Sequence, residues 1–225
     1  MKKAMLTAFL RPFLFAKALY IDRNQRKRRE RLEKETLSKV NQVLDAGVPI
    51  HLELGHTHIE SESWLTLDLN INSDFFWDCR NGLPFPSQSI DVLFSRNQLQ
   101  HLSGKQVVDL LEECFRVLKP AGHFFFSVPD AEPVLQAYVK KENHLLHGAW
   151  ANVKPGWLET GSPMDQVAFV AYGNGQNQFM FDHENIMHIC QQVGFLPTQF
   201  RMPDPKIDGP LREPDTLYVI ARKPG

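Results

Sequence analysis

The stretch from Pro49 to Asn70 leaves this chain few choices. Ile50-His51-Leu52-Glu53-Leu54 is a short apolar run that Pro49 precedes and Gly55 ends. A buried parallel strand feeding a tight turn reads this way. Nine residues beyond Gly55 a second run begins, Trp64-Leu65-Thr66-Leu67-Asp68-Leu69-Asn70, alternating, β-prone and carrying a carboxylate at its far end. Open α/β sheets bind ligands outside the carboxyl ends of their strands, where strand order reverses. A glycine after the first strand lets a ligand approach the backbone, and an acid after the second can accept hydrogen bonds from a ribose diol. An adenosine-containing ligand is the expectation.

Elements follow in alternation on both sides of this stretch. The charged run Arg23 to Glu35 leads into Leu37, Val40 and Leu44 at helical spacing, which predicts one helix over 22–46 ending at Gly47. Further on, 74–78 reads as a third strand, Pro84 and Pro86 mark a loop, and 90–95 reads as a fourth strand. Ser103 and Gln106 stand at capping-box spacing, and Val107, Leu110, Leu111, Cys114 and Leu118 line one helical face up to Lys119-Pro120-Ala121-Gly122. A fifth strand over 123–128, a helix over 131–148, a helix over 182–193 and two closing strands complete the alternation, which predicts an α/β three-layer sandwich. Between them, 150–178 is rich in Gly, Pro, Asn and Gln without a firm period. A stretch this long reads as a lid or acceptor loop, with Trp150, Trp157, Tyr172 and Asn177 either facing a substrate or pinning the loop to the core.

Glu53-Leu54-Gly55, Trp64 to Asp68, Gly82-Leu83-Pro84-Phe85-Pro86, Ser89-Ile90-Asp91, Leu99-Gln100-His101-Leu102 and Arg116 to Gly122 follow one another in order. Phe179 to Asp182, Gly194-Phe195 and Leu217 to Pro224 continue the series. Together they resemble a class I S-adenosylmethionine-dependent methyltransferase over roughly residues 48–225. The likeness is to the small bacterial type 11-like branch often found among cell-surface polysaccharide genes. The resemblance implies a Rossmann-like, mostly parallel seven-stranded sheet with its last strand antiparallel, preceded by a helical arm over 1–47. It implies S-adenosyl-L-methionine as cofactor and a small-molecule or glycan acceptor methylated at oxygen. Carried onto this chain, it puts Glu53 near the cofactor ammonium, Gly55 under its methionine part, Asp68 at the ribose, and Asp78 with Cys79 by the adenine. His56, Leu69 and Ser95 complete the implied cofactor set.

Two departures accompany the match. The family continues Gly-x-Gly where this chain has Gly55-His56-Thr57-His58, and Leu-Glu-His where it has Leu99-Gln100-His101. A β-carbon at position 57 narrows the space against the turn, so a methyltransferase-fold binding or scaffold protein without turnover is the alternative. A nicotinamide dehydrogenase is excluded by the missing three-glycine fingerprint. His56-x-His58 lacks a third ligand, so no metal site is expected. His101, shortly after the fourth strand, is the general-base candidate, since neutral imidazole takes a hydroxyl proton near pH 7. A helix-start histidine bonded to backbone is its structural counterpart. His183 and His188 are expected on the surface of the late helix.

Charge divides the chain unevenly. Residues 1–40 hold 12 Lys and Arg against 4 Asp and Glu, a net +8, whereas the remainder holds 13 against 22, a net −9. The acidic body argues against a nucleic-acid partner, and Glu30, Glu33 and Glu35 make the basic run read as a solvated helix face. Residues 4–20 are mostly apolar, but Arg11, Pro12 and Lys17 interrupt them. This is short of the ~18 continuous apolar residues of a spanning helix, and Arg11 also breaks a signal-peptide pattern. Phe9, Phe13, Phe15 and Leu19 beside the basic run offer a peripheral contact with an anionic membrane face through residues 1–31. Packing of the arm on its own domain or on a second subunit is the rival. Cys79, Cys114 and Cys190 are widely spaced with no C-x-x-C pair, which makes a reducing cytoplasm the expected compartment.

Overall fold

The computed structural model describes residues 25–55, 64–142, 160, 162–208 and 215–225. Among these, seven strands form one sheet: β1 (His51–Leu54), β2 (Trp64–Asp68), β3 (Phe75–Phe76), β4 (Ile90–Arg96), β5 (Leu118–Pro129), β6 (Thr198–Phe200) and β7 (Thr216–Arg222), in the order β3-β2-β1-β4-β5-β7-β6. β1 pairs parallel with both β2 and β4, while β7 runs antiparallel to β5 and to β6. The helices around the sheet are α1 (25–45), α2 (Gly104–Val117), α3 (Glu132–Lys140), α4 (Pro163–Tyr172), α5 (His183–Val193) and the single turn α6 (Pro205–Asp208). This is the Rossmann-like arrangement expected, with its antiparallel last strand and its N-terminal helix. No helix among the described residues is long and apolar enough to cross a membrane.

Burial explains why these segments settle where they do. Leu52 and Leu54 of β1 stand in register with Leu93 and Ser95 of β4, and Leu52, Leu93, Phe124 and Phe126 are fully buried. α2 begins at the capping box that Ser103 and Gln106 close in both directions. Its Val107, Leu110, Leu111, Cys114 and Val117 are the buried face. α5 is capped in the same way by Asp182 and Asn185, and Gly194 at φ 109° ends it so that Phe195 turns back into the core.

Four boundaries differ from the sequence expectation. The third strand shrinks to Phe75–Phe76 because Asp74 turns away, its carboxylate accepting from the Thr66 N–H at 2.8 Å. The fifth lengthens to Leu118–Pro129, since Leu118 already pairs with Ile90 before the register shift over 119–122. α3 is described only to Lys140, where Lys141 takes a left-handed conformation (φ 61°). Within 150–178, read as one loop, Pro163–Tyr172 is helical: Ser162 caps it, Pro163 opens it and Gly173 in a left-handed conformation closes it. Pro163 and Gly173 thus mark the ends of a helix rather than a loop.

Two substitutions separate capping from packing. Ser103→Ala removes the cap and is expected to cost about 1 kcal/mol, whereas Leu111→Ala leaves a cavity in the core at about 2–5 kcal/mol. Chemical denaturation with an unchanged slope checks both.

Candidate functional site

β1, β2 and β4 bring their carboxyl ends to one edge of the sheet, and the strand order reverses between β1 and β4. A cleft of about 260 Å³ opens there. Gly55, Asp68, Leu69, Asp78, Cys79 and His101, six of the residues expected from sequence, line it. Trp77, Arg80 and Gln98 join them without having been anticipated, and Leu54, Leu67, Leu102 and Leu110 supply apolar wall. Glu53 and Ser95 are buried within β1 and β4 and are not part of the lining. His56, with Thr57 and His58, lies outside the described residues, as do Trp150 and Trp157.

Gly55 ends β1 at φ 104°, its N–H donating to the Leu67 carbonyl at 2.9 Å. A β-carbon here would stand 2.6 Å from Nε2 of Gln98. The turn therefore presents bare backbone to the cleft, in a conformation that side-chain-bearing residues rarely adopt. Asp68 closes β2. Its Oδ1 accepts the Asn70 N–H at 2.7 Å, and its Oδ2 faces Nε2 of Gln98 at 3.4 Å. Gln98 reaches this place because Asn97, in a left-handed conformation at φ 49°, turns the chain just past β4. The Gln100 side chain donates to the Asn97 carbonyl at 2.7 Å and holds that turn. The only sequence signal for Gln98 was its place beyond the end of a central strand.

The second acid of the cleft is differently placed. Asp78 receives both Nε and Nη2 of Arg80 at 2.8 Å each and Nη2 of Arg29, from α1, at 3.2 Å. The hydrogen bonds from Arg80 outweigh burial and hold its carboxyl at about 2. Burial pushes the neighbouring Cys79 thiol up to about 11, so it is a neutral wall group at physiological pH. His101 sits in the short turn Leu99–His101 after β4. Its Nδ1 lies 3.2 Å from the Gln176 carbonyl, and only an N–H can serve that oxygen, so the neutral ring keeps its lone pair at Nε2. The Gln178 side chain holds the His101 carbonyl at 2.8 Å. Of the residues expected to face a substrate from 150–178, Tyr172 is largely exposed and Asn177 is buried, its amide donating to the Val170 carbonyl at 3.0 Å. Asn177 therefore closes the end of α4.

Residues 76–126 match a family described as a methyltransferase domain. A probable S-adenosylmethionine-dependent methyltransferase of Mycolicibacterium smegmatis is 39% identical over 57 residues, which are 24% of this chain and 21% of that protein. The chain thus spans about a fifth of the length of the curated relative it matches. Among solved structures, a Thermotoga maritima S-adenosylmethionine-dependent methyltransferase, described as a possible histamine N-methyltransferase, is similar at TM-score 0.50. It shares 14% identity, and the match covers 89% of this chain and 95% of that one. A possible exported protein from Bordetella parapertussis matches at TM-score 0.50 and 14% identity, over 85% and 68% of the two chains. At these identities the likeness is one of fold.

The Asp78 cluster predicts an acid-labile contact. Its folded pKa lies below the ordinary value, so its contribution is complete above about 4 and is lost as pH falls through about 2. Both arginines are partly exposed, which limits the contribution to about 1 kcal/mol. Asp78→Asn should lower stability by that amount at pH 7 and close the gap to the native chain near pH 2. Denaturation midpoints across pH 2–7 read this directly.

Proposed function

We propose that the chain is an S-adenosyl-L-methionine-dependent methyltransferase acting at oxygen on a small-molecule or glycan acceptor. The observation that carries the reading is the bare Gly55 turn and the Asp68 carboxylate facing one cleft at the reversal of strand order. Those residues suit an amino acid joined to a nucleoside: backbone without a β-carbon on one side, a diol acceptor on the other. The methyltransferase-domain match over 76–126 supports the same cofactor.

When bound, the cofactor supplies an electrophilic methyl group on a good leaving group. The protein's own share is alignment, water exclusion and proton handling. Asp68 Oδ2 is the oxygen available to a ribose hydroxyl once Gln98 yields its long contact. Leu54, Leu67 and Leu110 keep one wall dry. His101 Nε2 takes the proton of an acceptor hydroxyl, and the Gln176 carbonyl keeps the ring in the tautomer that can do so. Glu53, Ser95 and His56 remain in the proposed cofactor set as residues carried over from the family resemblance. The 150–178 stretch is proposed as the acceptor side.

A second reading rests on Gln98, whose amide lies over Gly55 where the methionine part would run. If that amide stays, the fold serves as a binding or scaffold module without turnover. Calorimetry with S-adenosylmethionine and S-adenosylhomocysteine separates the two. The enzyme reading expects binding of both, at least tenfold weaker in Asp68→Ala (about 1.4 kcal/mol) and unchanged within twofold in His101→Ala. No binding of either at millimolar concentration, with Asp68→Ala indistinguishable from the native chain, would remove the proposal. A large gain in affinity on Thr57→Gly would mark the natural turn as impaired.

The same proposal places the protein in the cytoplasm, with residues 1–31 meeting the inner membrane face. Of these, residues 25–31 are described, as the basic start of α1, exposed except for the half-buried Arg29. Each basic residue near an anionic surface contributes about 1 kcal/mol, screened within a Debye length. Full-length protein should sediment with phosphatidylserine vesicles at low salt and be released at high salt, and a chain starting at Leu37 should not sediment. Indifference to vesicles, together with a lowered melting temperature of the shortened chain, would instead assign the arm to packing.

A further inference from the structure

Asp130 follows directly on β5, and its backbone is fixed from two sides. Its N–H donates to the Asp215 carbonyl at 2.9 Å, and a parallel bridge joins it to Phe181, whose carbonyl accepts the Ala131 N–H at 2.8 Å. The side chain is about nine-tenths buried. One oxygen, Oδ1, accepts the Glu132 N–H at 3.0 Å. The other, Oδ2, accepts no hydrogen bond among the described residues and faces Nδ1 of His183, the first residue of α5, at 3.7 Å. Glu132 repeats the pattern: Oε1 takes the Gln136 amide at 2.8 Å, and Oε2 faces the same His183 nitrogen at 3.6 Å. The three donor atoms lie within 4.8 Å of one another.

We propose that Asp130, Glu132 and His183 bind a divalent cation of the zinc type, clamping the end of β5 to the start of α5. Separations of 3.6 and 3.7 Å are too long for hydrogen bonds. They are close to the ligand–ligand spacing of about 3.4 Å that tetrahedral bonds of about 2.0–2.2 Å produce. One imidazole with two carboxylates suits zinc better than magnesium or calcium, and three protein ligands leave a fourth position for water or another oxygen donor. Each carboxylate has its second oxygen already engaged, so the free oxygens are aimed as outer-shell bonds aim true ligands. Among the described residues no lysine or arginine forms an ion pair with either carboxylate, and His183 lies near both. The Asp130 carboxylate is largely withdrawn from water, and a bound cation would offset the cost of holding its charge there.

The site lies apart from the cleft but acts on a segment that reaches it. Gln176 offers the carbonyl that orients His101, and the Gln178 N–H is held by the Gln100 carbonyl at 2.8 Å. Phe181 and His183 then carry the same segment to Asp130. A cation at Asp130, Glu132 and His183 would fasten that segment at its far end. The proposal stands whether or not the cleft transfers methyl groups.

Zinc titration of the full chain by calorimetry tests it, with magnesium and calcium run in parallel. The expected result is one equivalent of zinc at micromolar or tighter affinity, with magnesium and calcium far weaker. His183→Ala and Asp130→Asn should each weaken zinc at least tenfold, and Gln136→Ala, which touches only the outer oxygen of Glu132, about tenfold. His183 is half exposed, so His183→Ala can be expected to fold, and zinc should raise the melting temperature of the native chain but not of this variant. Zinc affinity left unchanged by His183→Ala would place the ion on other histidines and overturn the site. Absence of binding at 100 µM zinc would overturn it as well, leaving the Asp130, Glu132 and His183 cluster as a surface contact without an ion.

Discussion

β1 is hydrogen-bonded on both sides, to β2 through Leu54↔Leu67 and to β4 through Leu54↔Ser95. That double parallel pairing holds the rest of the molecule. Because the three strands run the same way, their carboxyl ends arrive together, and each delivers one element of the cleft. β1 gives the bare turn at Gly55, β2 the carboxylate of Asp68, and β4 the turn that carries Gln98 and His101. A slip of one residue in β1 would put Glu53 on the face that Leu52 and Leu54 pack. The burial of those leucines therefore fixes where Gly55 stands.

The two acids of the cleft show how environment divides one chemistry between two roles. Asp78 is committed to Arg80 and Arg29, and the hydrogen bonds that depress its pKa also tie α1 to the cleft rim. Asp68 has a backbone N–H at one oxygen and only a long amide contact at the other, which leaves it able to receive a ligand hydroxyl. Asp78 thus supports the wall, while Asp68 is offered to the ligand. Cys79, raised by burial between them, adds neither charge nor nucleophile.

Gln98 stands where these features meet. It fills the place that a β-carbon on Gly55 would take and lies beside Asp68. Any ligand laid across the Gly55 turn must displace or bond that amide, so Gln98 bears on affinity as directly as the glycine does. The segment from Gln176 to His183 plays the corresponding part on the other side of His101. It is backbone rather than side chain that sets the tautomer there.

Much of this was legible in the residues themselves. A short bounded apolar run located β1, alternation located β2, and helical spacing located α1 and α2, because burial of one face is written directly into such a pattern. Ser103 with Gln106 marked a helix start, since caps satisfy local N–H groups and need no distant partner. The Gly55 turn and Asp68 were readable for the same reason: strand ends are local features. α4 was hidden because its Pro163 and Gly173 resemble loop residues until their place at the helix ends is known. Gln98 over Gly55, Arg29 on Asp78, the Gln176 carbonyl at His101, and Asp130 facing His183 join residues distant in sequence, or separated by a turn whose direction no local pattern specifies. The sequence by itself determined the order and periodicity of the elements and the chemistry each strand end would carry. Only the tertiary structure decided which of those groups meet, because contact across a sheet edge depends on strand order and register rather than on any neighbour in the chain.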